Sequence, residues 1–208
     1  MGFLGIAPKE RRIRFKSVKR NSTMRRSVSV RTFVFFVLVL TVLGATGGPV
    51  ARAQSSFDRE YLIKAAFLYN FLKFVEWPEE ALPEGAGTIA VCLVGEDPFG
   101  EALESIKGKT VKSKDLVIRR VQALQNLGAC QLLFVSSSEK NRLPEIIGAL
   151  KGRAVLTVGE LEGFTQGGGI IRLLIERNNV RFEINADMAE RTGLKISSKL
   201  LSLAKVVK

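Results

Sequence analysis

Few side chains in this sequence could do catalytic chemistry, because the chain contains no histidine. Every Ser-His-Asp or Cys-His arrangement needs an imidazole base, so these hydrolase classes are excluded. Ser137 and Lys140 have the Ser-x-x-Lys spacing of penicillin-recognising enzymes, but no KTG element accompanies them. The acidic residues fall in predicted loops and on exposed helix faces, which is typical of solvated charge rather than of a glycosidase pair. We therefore expect a protein that is not an enzyme.

Two glycine-containing stretches match nucleotide-binding loops only in part. Gly95 and Gly100 have the spacing of a Walker loop, but Glu101 stands where the phosphate-binding lysine is required and would repel the ligand. The tripeptide from Gly108 to Thr110 reads GKT, yet position 103 is leucine rather than glycine. Neither stretch is a P-loop, and no cofactor is expected.

A glycine-rich segment, GFTQGGGI at 163–170, precedes a predicted strand. Its backbone N–H groups could bind an anion, or the glycines could form a flexible turn. Residues of this segment and of the following hairpin could line a pocket for a small ligand: Gly168, Arg172, Arg181 and Asn185. The alternative is that the hairpin side chains lie on the solvent face of a sheet.

The first 53 residues have the parts of a secretory signal peptide. They contain eleven lysines and arginines and one acid, and then an eleven-residue apolar run from Phe33 to Leu43. This run is shorter than the roughly 20 residues that a membrane-spanning helix needs. The tripeptide 51–53, Ala-Arg-Ala, is a small-x-small cleavage site. We therefore expect residues 1–53 to be a cleaved leader and residues 54–208 to be the exported mature domain.

The positive charge of the chain belongs mainly to this leader. The whole sequence has a formal net charge of +12. The leader supplies ten of these charges, which leaves about +2 for the mature chain, so a nucleic-acid partner is not expected. Translation from Met24 instead of Met1 would give a leader of ordinary length.

The two cysteines, Cys92 and Cys130, are an even number in a chain expected to enter an oxidising compartment. A disulfide is the default interpretation, with two free buried thiols as the alternative. Neither cysteine is in a C-x-x-C pair, and without histidine a zinc site or a thioredoxin-like redox centre is not predicted.

Apolar runs of strand length alternate with helix patterns along the mature chain, which is long enough for one domain. Strands are predicted at 88–95, 115–121, 130–136 and 154–159, a hairpin at 168–185 with its turn at Asn178-Asn179, and helices at 97–108, 136–150 and 186–207. This order predicts a single α/β domain with a mixed β-sheet flanked by helices and with a C-terminal β-hairpin and helix.

The stretch YLIKAAFLYNFLKFVEWP, from Tyr61 to Pro78, predicts a helix that is apolar on nearly all sides. Such a helix must be buried, span a membrane or be covered by a partner. In an exported protein, one face should pack on the sheet. The remaining surface, around Phe67, Phe71 and Trp77, is either core or an interface for a partner or for a second copy of the chain.

Several stretches together resemble the YfiR family of exported bacterial proteins. They are the aromatic helix ending in Glu-Trp-Pro, VCLVGEDPFGEAL, LLFVSSSE, the segment from LTVGE to GGGIIRL, and the ending VRFEINADMAERTGLKISSKLLSLAKVV. The resemblance runs from Tyr61 to Val207, with the stretches in the family's order. Cys92 and Cys130 match the family's first cysteine pair, and the second pair of some relatives has no counterpart here.

The resemblance implies a periplasmic repressor without catalytic residues. It would bind the periplasmic domain of a membrane diguanylate cyclase or kinase and so lower cyclic di-GMP, the signal behind biofilm regulation. An OmpA-like outer-membrane lipoprotein would be a further partner, and a homodimer is expected. A periplasmic sensor that binds a small ligand is the alternative function.

Overall fold

The longest element of the domain is its N-terminal helix. The computed structural model describes residues 50–82 and 84–207, and helix α1 runs from Val50 to Phe74. Residues 1–49 of the expected leader lie outside the described residues. The sequence predicted that this helix ends at Trp77, but it ends three residues earlier, because Val75 and Glu76 form a short strand. Pro78 then prevents the helix from continuing.

An eight-stranded mixed sheet forms the centre of the domain, and Pro49–Lys208 is one compact unit. Its strands are β2 (Thr88–Val94), β3 (Thr110–Val111), β4 (Lys114–Val121), β5 (Leu132–Val135), β6 (Leu156–Gly159), β7 (Ile171–Glu176), β8 (Asn179–Asn185) and β10 (Lys205–Val207). Strands β1 (Val75–Glu76) and β9 (Lys195–Ile196) form a separate antiparallel ribbon. The remaining helices are α2 (Glu101–Glu104), α3 (Leu143–Ala149), α4 (Ala186–Arg191), α5 (Ser198–Leu201) and two 3-10 helices, Leu124–Ala129 and Ser137–Arg142.

The spatial order of the strands is β10-β8-β7-β6-β5-β2-β4-β3. Strands β4, β2, β5, β6 and β7 are parallel, and β8 returns antiparallel to β7 as the second strand of a hairpin. The short edge strands differ, since β3 is antiparallel to β4 and β10 is parallel to β8. The predicted α/β fold, with a mixed sheet flanked by helices, is confirmed.

Apolar side chains fill both faces of the central strands. In β2 every residue after Thr88 is buried, because alternate side chains point to opposite faces and each face is covered. One face packs under α1 and includes Val91, Phe134 and Ile184. The opposite face is covered by the first 3-10 helix, α3 and the segment after β6.

The two cysteines form a disulfide, as the sequence predicted. Cys92 lies in β2 and Cys130 precedes β5, and these strands are parallel neighbours. Their Cα atoms are 5.8 Å apart, and both side chains are buried on the face opposite α1. The bond therefore joins two strands that the sheet already places side by side.

The β7–β8 hairpin is present, but its turn lies one residue earlier than predicted. Arg177 and Asn178 have positive φ angles of 49° and 64°, and Glu176 pairs with Asn179 across the turn. Two consecutive positive φ values match the twist of a two-residue hairpin loop, and asparagine tolerates them well. The predicted turn at Asn178-Asn179 is therefore wrong by one position.

The single C-terminal helix predicted at 186–207 is wrong. Helix α4 ends after Arg191, and Gly193 has a φ of 77°, a left-handed conformation that commonly ends a helix. The chain then forms β9, and Ser197 begins α5 by accepting a hydrogen bond from the N–H of Leu200 at 3.2 Å. The final residues pair with β8 as β10, so sheet hydrogen bonds replace helical ones.

Two other predicted helices are shorter than the sequence patterns suggested. Asp97 accepts hydrogen bonds from the N–H groups of Phe99 and Gly100, at 2.8 and 3.2 Å, and only α2 follows this turn. In the segment 136–150, Ser136 caps a 3-10 helix before α3 begins. The polar residues of these segments support local turns that compete with a continuous helix.

Within the described ranges, no helix combines the length and apolar character that a membrane span requires.

Candidate functional site

Helix α1 has a buried face that packs on the sheet. Ala65, Leu68, Phe71 and Leu72 are fully buried. The ring of Phe71 lies 5.2 Å from that of Phe182 in β8, in an edge-to-face arrangement that aromatic pairs favour. Phe71 is therefore a core residue, which is one of the two alternatives that the sequence left open.

The opposite side of α1 is apolar but exposed. Leu62 and Ile63 are 49 % and 41 % exposed. Phe67 lies at the border, half-buried, with its ring 5.4 Å from Phe182 and 5.8 Å from Phe71. A partner could thus reach Phe67 but not Phe71, and the partner-binding role of Phe67 stays a prediction.

Trp77 directly follows strand β1, three residues after the end of α1. Its Nε1 donates a hydrogen bond to the carbonyl of Gln131 at 3.2 Å, and the ring is half-buried. Lys112 Nζ lies 5.6 Å from the Trp77 ring centroid and donates to the carbonyl of Val75 at 2.5 Å. Burial lowers the pKa of Lys112, and the nearby Glu76 carboxylate acts in the opposite direction. A partner role for Trp77 also stays a prediction.

A charged cluster that sequence reasoning missed lies between α1 and the end of β6. Lys64 is 3 % exposed and forms ion pairs with Glu60 at 2.5 Å and with Glu160 at 3.0 Å. The hydroxyl of Tyr61 donates to the same Glu160 oxygen at 3.0 Å. The other carboxylate oxygen of Glu160 is buried without a hydrogen-bond partner among the described residues. A lysine inside an otherwise apolar helix pattern was the signal that could have revealed this cluster.

The environment of this cluster changes the acidity of Tyr61. Burial of its hydroxyl, and then the negative charge and hydrogen bond of Glu160, raise the pKa of Tyr61 far above its usual value. Lys64 Nζ also lies 4.3 Å from the Tyr61 ring centroid. The arrangement suits a neutral tyrosine whose hydroxyl links helix α1 to Glu160, the residue that follows β6.

The four residues predicted to line a ligand pocket fall into two groups, because the β7–β8 register places Arg172, Arg181 and Asn185 on one face of the hairpin, whereas Gly168 lies in the glycine-rich segment. Gly168 lines a groove of about 210 Å³ between α3 and α4, and the lining of that groove does not include the other three. Asn185 is buried, and its side chain accepts from the N–H of Met188 and donates to the carbonyl of Thr165. Asn185 therefore caps α4. A ligand at these positions stays a prediction.

The two hairpin arginines differ in their surroundings. Arg172 is partly buried and lies 3.6 Å from Glu183, which also accepts a hydrogen bond from Thr165 at 2.8 Å. Arg181 is exposed. The contacts of Arg172 and Glu183 join the hairpin to the glycine-rich segment, and of the two arginines only Arg181 has the solvent-facing position of the alternative interpretation.

The glycine-rich segment has a packing reason. The ring of Phe164 is fully buried against the backbone of Gly159 and Gly169. A Cβ atom at Gly169 would lie 2.2 Å from this ring, and one at Gly159 would lie 2.6 Å from it. At these two positions, glycine is required by the close approach of an aromatic ring.

The partial enzyme motifs have structural uses. Ser138 Oγ accepts a hydrogen bond from the N–H of Glu96 at 2.9 Å, and Ser136 caps the following helix. Ser137 and Lys140 are both exposed at the surface of that helix. In the part of the chain that the structure describes, no group of acidic or cysteine side chains could hold a metal ion.

Two solved structures are similar to part of this chain. One is the ABC domain in complex with L-Trp from Streptococcus pneumonia, which is 12 % identical over 62 % of this chain and 58 % of that chain, with a TM-score of 0.43. The other is a conserved domain protein from Vibrio cholerae O1 biovar El Tor, 14 % identical over 62 % and 57 %, with a TM-score of 0.42. The chain spans less than two thirds of either structure.

A protein-family model matches residues 61–205, which include α1 from Tyr61 onward, the sheet except for the last two residues of β10, and both cysteines. The family is described as DUF4154, YfiR/HmsC-like. It is a regulatory rather than a catalytic family, and its members are periplasmic regulators of diguanylate cyclases. This chain belongs to the YfiR/HmsC-like family.

Proposed function

We propose that this protein binds the periplasmic sensor region of a membrane-bound diguanylate cyclase, or of a similar signalling enzyme, and holds that enzyme inactive. Inhibition requires that the protein bind the inactive conformation more tightly than the active one. A 100-fold preference, about 2.7 kcal/mol, is enough to shift the balance between the two conformations substantially. Cyclic di-GMP would fall although the inhibitor never contacts it.

The observation that best supports this proposal is the exposed apolar side of α1 in a chain of this family. Leu62 and Ile63 are adjacent, and each exposes more than two fifths of its surface. Phe67 continues this surface along the next helical turn. Neighbouring exposed apolar side chains that lie close to a folded core commonly mark a protein-binding site.

The proposal includes three further expectations from the family resemblance. The first is cleavage after residue 53 and release into the periplasm. The second is sequestration by an OmpA-like outer-membrane lipoprotein, which would release the cyclase. The third is a homodimer. Each needs its own measurement, and the binding experiment below does not depend on them.

The experiment measures binding and folding separately. Residues 54–208 are titrated against the purified periplasmic domain of the cyclase by calorimetry, and diguanylate cyclase activity is assayed in membranes with and without the protein. We expect binding and inhibition by the wild-type protein. Ile63→Asp should bind at least about tenfold more weakly without a change in melting temperature, because its side chain is exposed.

Phe71→Ala is the matched control for folding, since this ring is fully buried. It should lower the melting temperature because truncating a buried aromatic ring costs about 3–5 kcal/mol. The proposal is wrong if wild-type protein neither binds the sensor domain nor changes cyclase activity. Binding by Ile63→Asp at wild-type affinity would instead show that the apolar side of α1 is not the contact.

A further inference from the structure

Four lysine side chains lie over aromatic rings on the outer side of the domain. Lys73 and Lys109 each place Nζ 5.3 Å from the ring centroid of Tyr69. Lys199 lies 5.6 Å from the ring of Phe74, and Lys112 lies 5.6 Å from that of Trp77. All four lysines are exposed, and the three rings are half-buried. We call these four lysines and three rings the basic aromatic face.

Within the part of the chain that the structure describes, no ion pair neutralises the positive charge of this face. The sequence from Tyr61 to Val75 contains no aspartate or glutamate. Glu76 is the acidic residue that acts on Lys112, at one end of the face. The other three ammonium groups have aromatic rings as their neighbours instead of carboxylates.

The basic aromatic face continues into the exposed apolar residues of α1. Positions three and four apart are neighbours on a helix surface, so Leu62 lies in one row with Tyr69 and Lys73. Ile63, Phe67 and Phe74 form the adjacent row. The outer side of α1 is therefore apolar at Leu62 and Ile63, near the middle of the helix, and cationic and aromatic towards its C-terminal end.

This distribution of charge indicates the chemistry of the surface that a partner would present. An acidic surface would neutralise the lysines and, by excluding water, would strengthen the attraction between each ammonium group and its ring. A second copy of this chain fits poorly, because a two-fold interface would place the same lysines opposite one another. Like charges brought together across an interface act against association.

We propose that the basic aromatic face binds an acidic surface, bordered by apolar side chains, on the periplasmic sensor domain of the membrane enzyme. This inference rests on the proposed function and adds the chemistry of the partner surface. The lysines accelerate the encounter by long-range attraction, and Leu62 and Ile63 bury apolar area once the two proteins are in contact.

The test compares lysine variants with a matched lysine elsewhere. Lys73→Glu combined with Lys109→Glu reverses the charge beside Tyr69, and Lys199→Glu does so beside Phe74. The control is Lys151→Glu, since Lys151 is also exposed but follows α3, which packs on the opposite side of the sheet. Association rates and dissociation constants for the sensor domain are measured at several salt concentrations.

We expect the Lys73/Lys109 variant to bind on the order of tenfold more weakly, mainly through a slower association rate, and Lys151→Glu to bind as the wild type does. Wild-type affinity should fall as salt rises, and the double variant should lose most of this salt dependence. Circular dichroism spectra and melting temperatures should be unchanged for all three variants, because every substituted side chain is exposed.

Three results would overturn the inference. The first is that the double variant binds as tightly as the control and that wild-type binding does not depend on salt. The proposed function would then still stand, and only the inferred acidic partner surface would be wrong. The second is binding of the wild type to vesicles containing anionic phosphatidylglycerol but not to the sensor domain. The third is self-association of the wild type that the lysine variants abolish. Absence of any binding to the sensor domain at every salt concentration would contradict the proposed function itself.

Discussion

Lys64 shows how one residue can be misjudged from its neighbours in sequence. A lysine within the apolar pattern of α1 is expected at a solvent-facing position, yet the structure buries Lys64 between two carboxylates. Burying a charged side chain is tolerated when it is paired, and removing one partner leaves the other charge uncompensated. The pairing depends on Glu160, which is 96 residues away in sequence.

Replacing this lysine should destabilise the domain. Lys64→Met leaves Glu160 buried without its cation, and we expect the free energy of unfolding to fall by about 3 kcal/mol. Urea denaturation monitored by tryptophan fluorescence measures the change, since Trp77 is the single tryptophan. The double variant Lys64→Met with Glu160→Gln should recover part of the loss. Equal stability of wild type and Lys64→Met would show that the pairing contributes nothing.

The buried hydroxyl of Tyr61 should make the stability of the domain depend on pH in alkaline solution. Its pKa is raised in the folded protein by burial and by Glu160, so the folded state keeps the proton when the unfolded tyrosine ionises. The stabilisation is complete below about pH 10, the usual tyrosine value, and is lost as the pH rises further towards the folded pKa. The unfolding free energy, measured from pH 8 to 11, should fall less steeply in Tyr61→Phe than in the wild type.

Tyr69→Phe is the control for this comparison, because it removes the other tyrosine of the chain, whose hydroxyl donates to Thr110 at an exposed position. Tyr69→Phe should still show the fall in unfolding free energy at alkaline pH that Tyr61 causes. Identical pH profiles for the wild type and Tyr61→Phe would contradict the role assigned to the buried hydroxyl.

At the scale of elements, the disulfide and the glycine-rich segment both support the face of the sheet opposite α1. The disulfide lies beside Leu127 and Leu133, and Phe164 is buried in the same cluster. Glycine at 159 and 169 allows that ring to approach the backbone. Two features that could have been a redox centre and an anion site thus contribute to packing.

Removing the disulfide should destabilise the domain without changing its fold. The cysteines are separated by 38 residues. Closing a loop of this length stabilises by about 4 kcal/mol in the chain-entropy model, so Cys92→Ala with Cys130→Ala should lose a comparable amount. Chemical denaturation measures the loss, and circular dichroism of the folded variant is the control. Because both cysteines are buried, reductant should act slowly until denaturant is added, and rapid alkylation under native conditions would contradict this.

At the scale of the whole molecule, the sheet has a parallel centre and an antiparallel hairpin near one edge. The sequence predicted the strands of the centre well, because β2 and β5 are apolar runs between turn-forming residues. It predicted the C-terminal region poorly. There, residues with a helical pattern also meet the free edge of β8, and pairing with that edge depends on where β8 lies in space.

The candidate site was predicted in part. Its helix and its apolar character were clear from sequence, since nothing between Tyr61 and Val75 is acidic. The sequence did not show which of its aromatic rings are exposed, because Phe67 and Phe71 are one turn apart and both contact Phe182 of β8. The lysines of the basic aromatic face come from α1, the β3 region and α5, so only folding brings them together.

Sequence alone indicated the α/β class and the family and favoured a disulfide between the two cysteines, because these depend on local patterns and residue types. Tertiary structure decided which face of α1 is covered, that Lys64 meets Glu160, and that the last residues form a strand. These outcomes depend on contacts between residues far apart in the chain, and local preferences are too weak to specify such contacts.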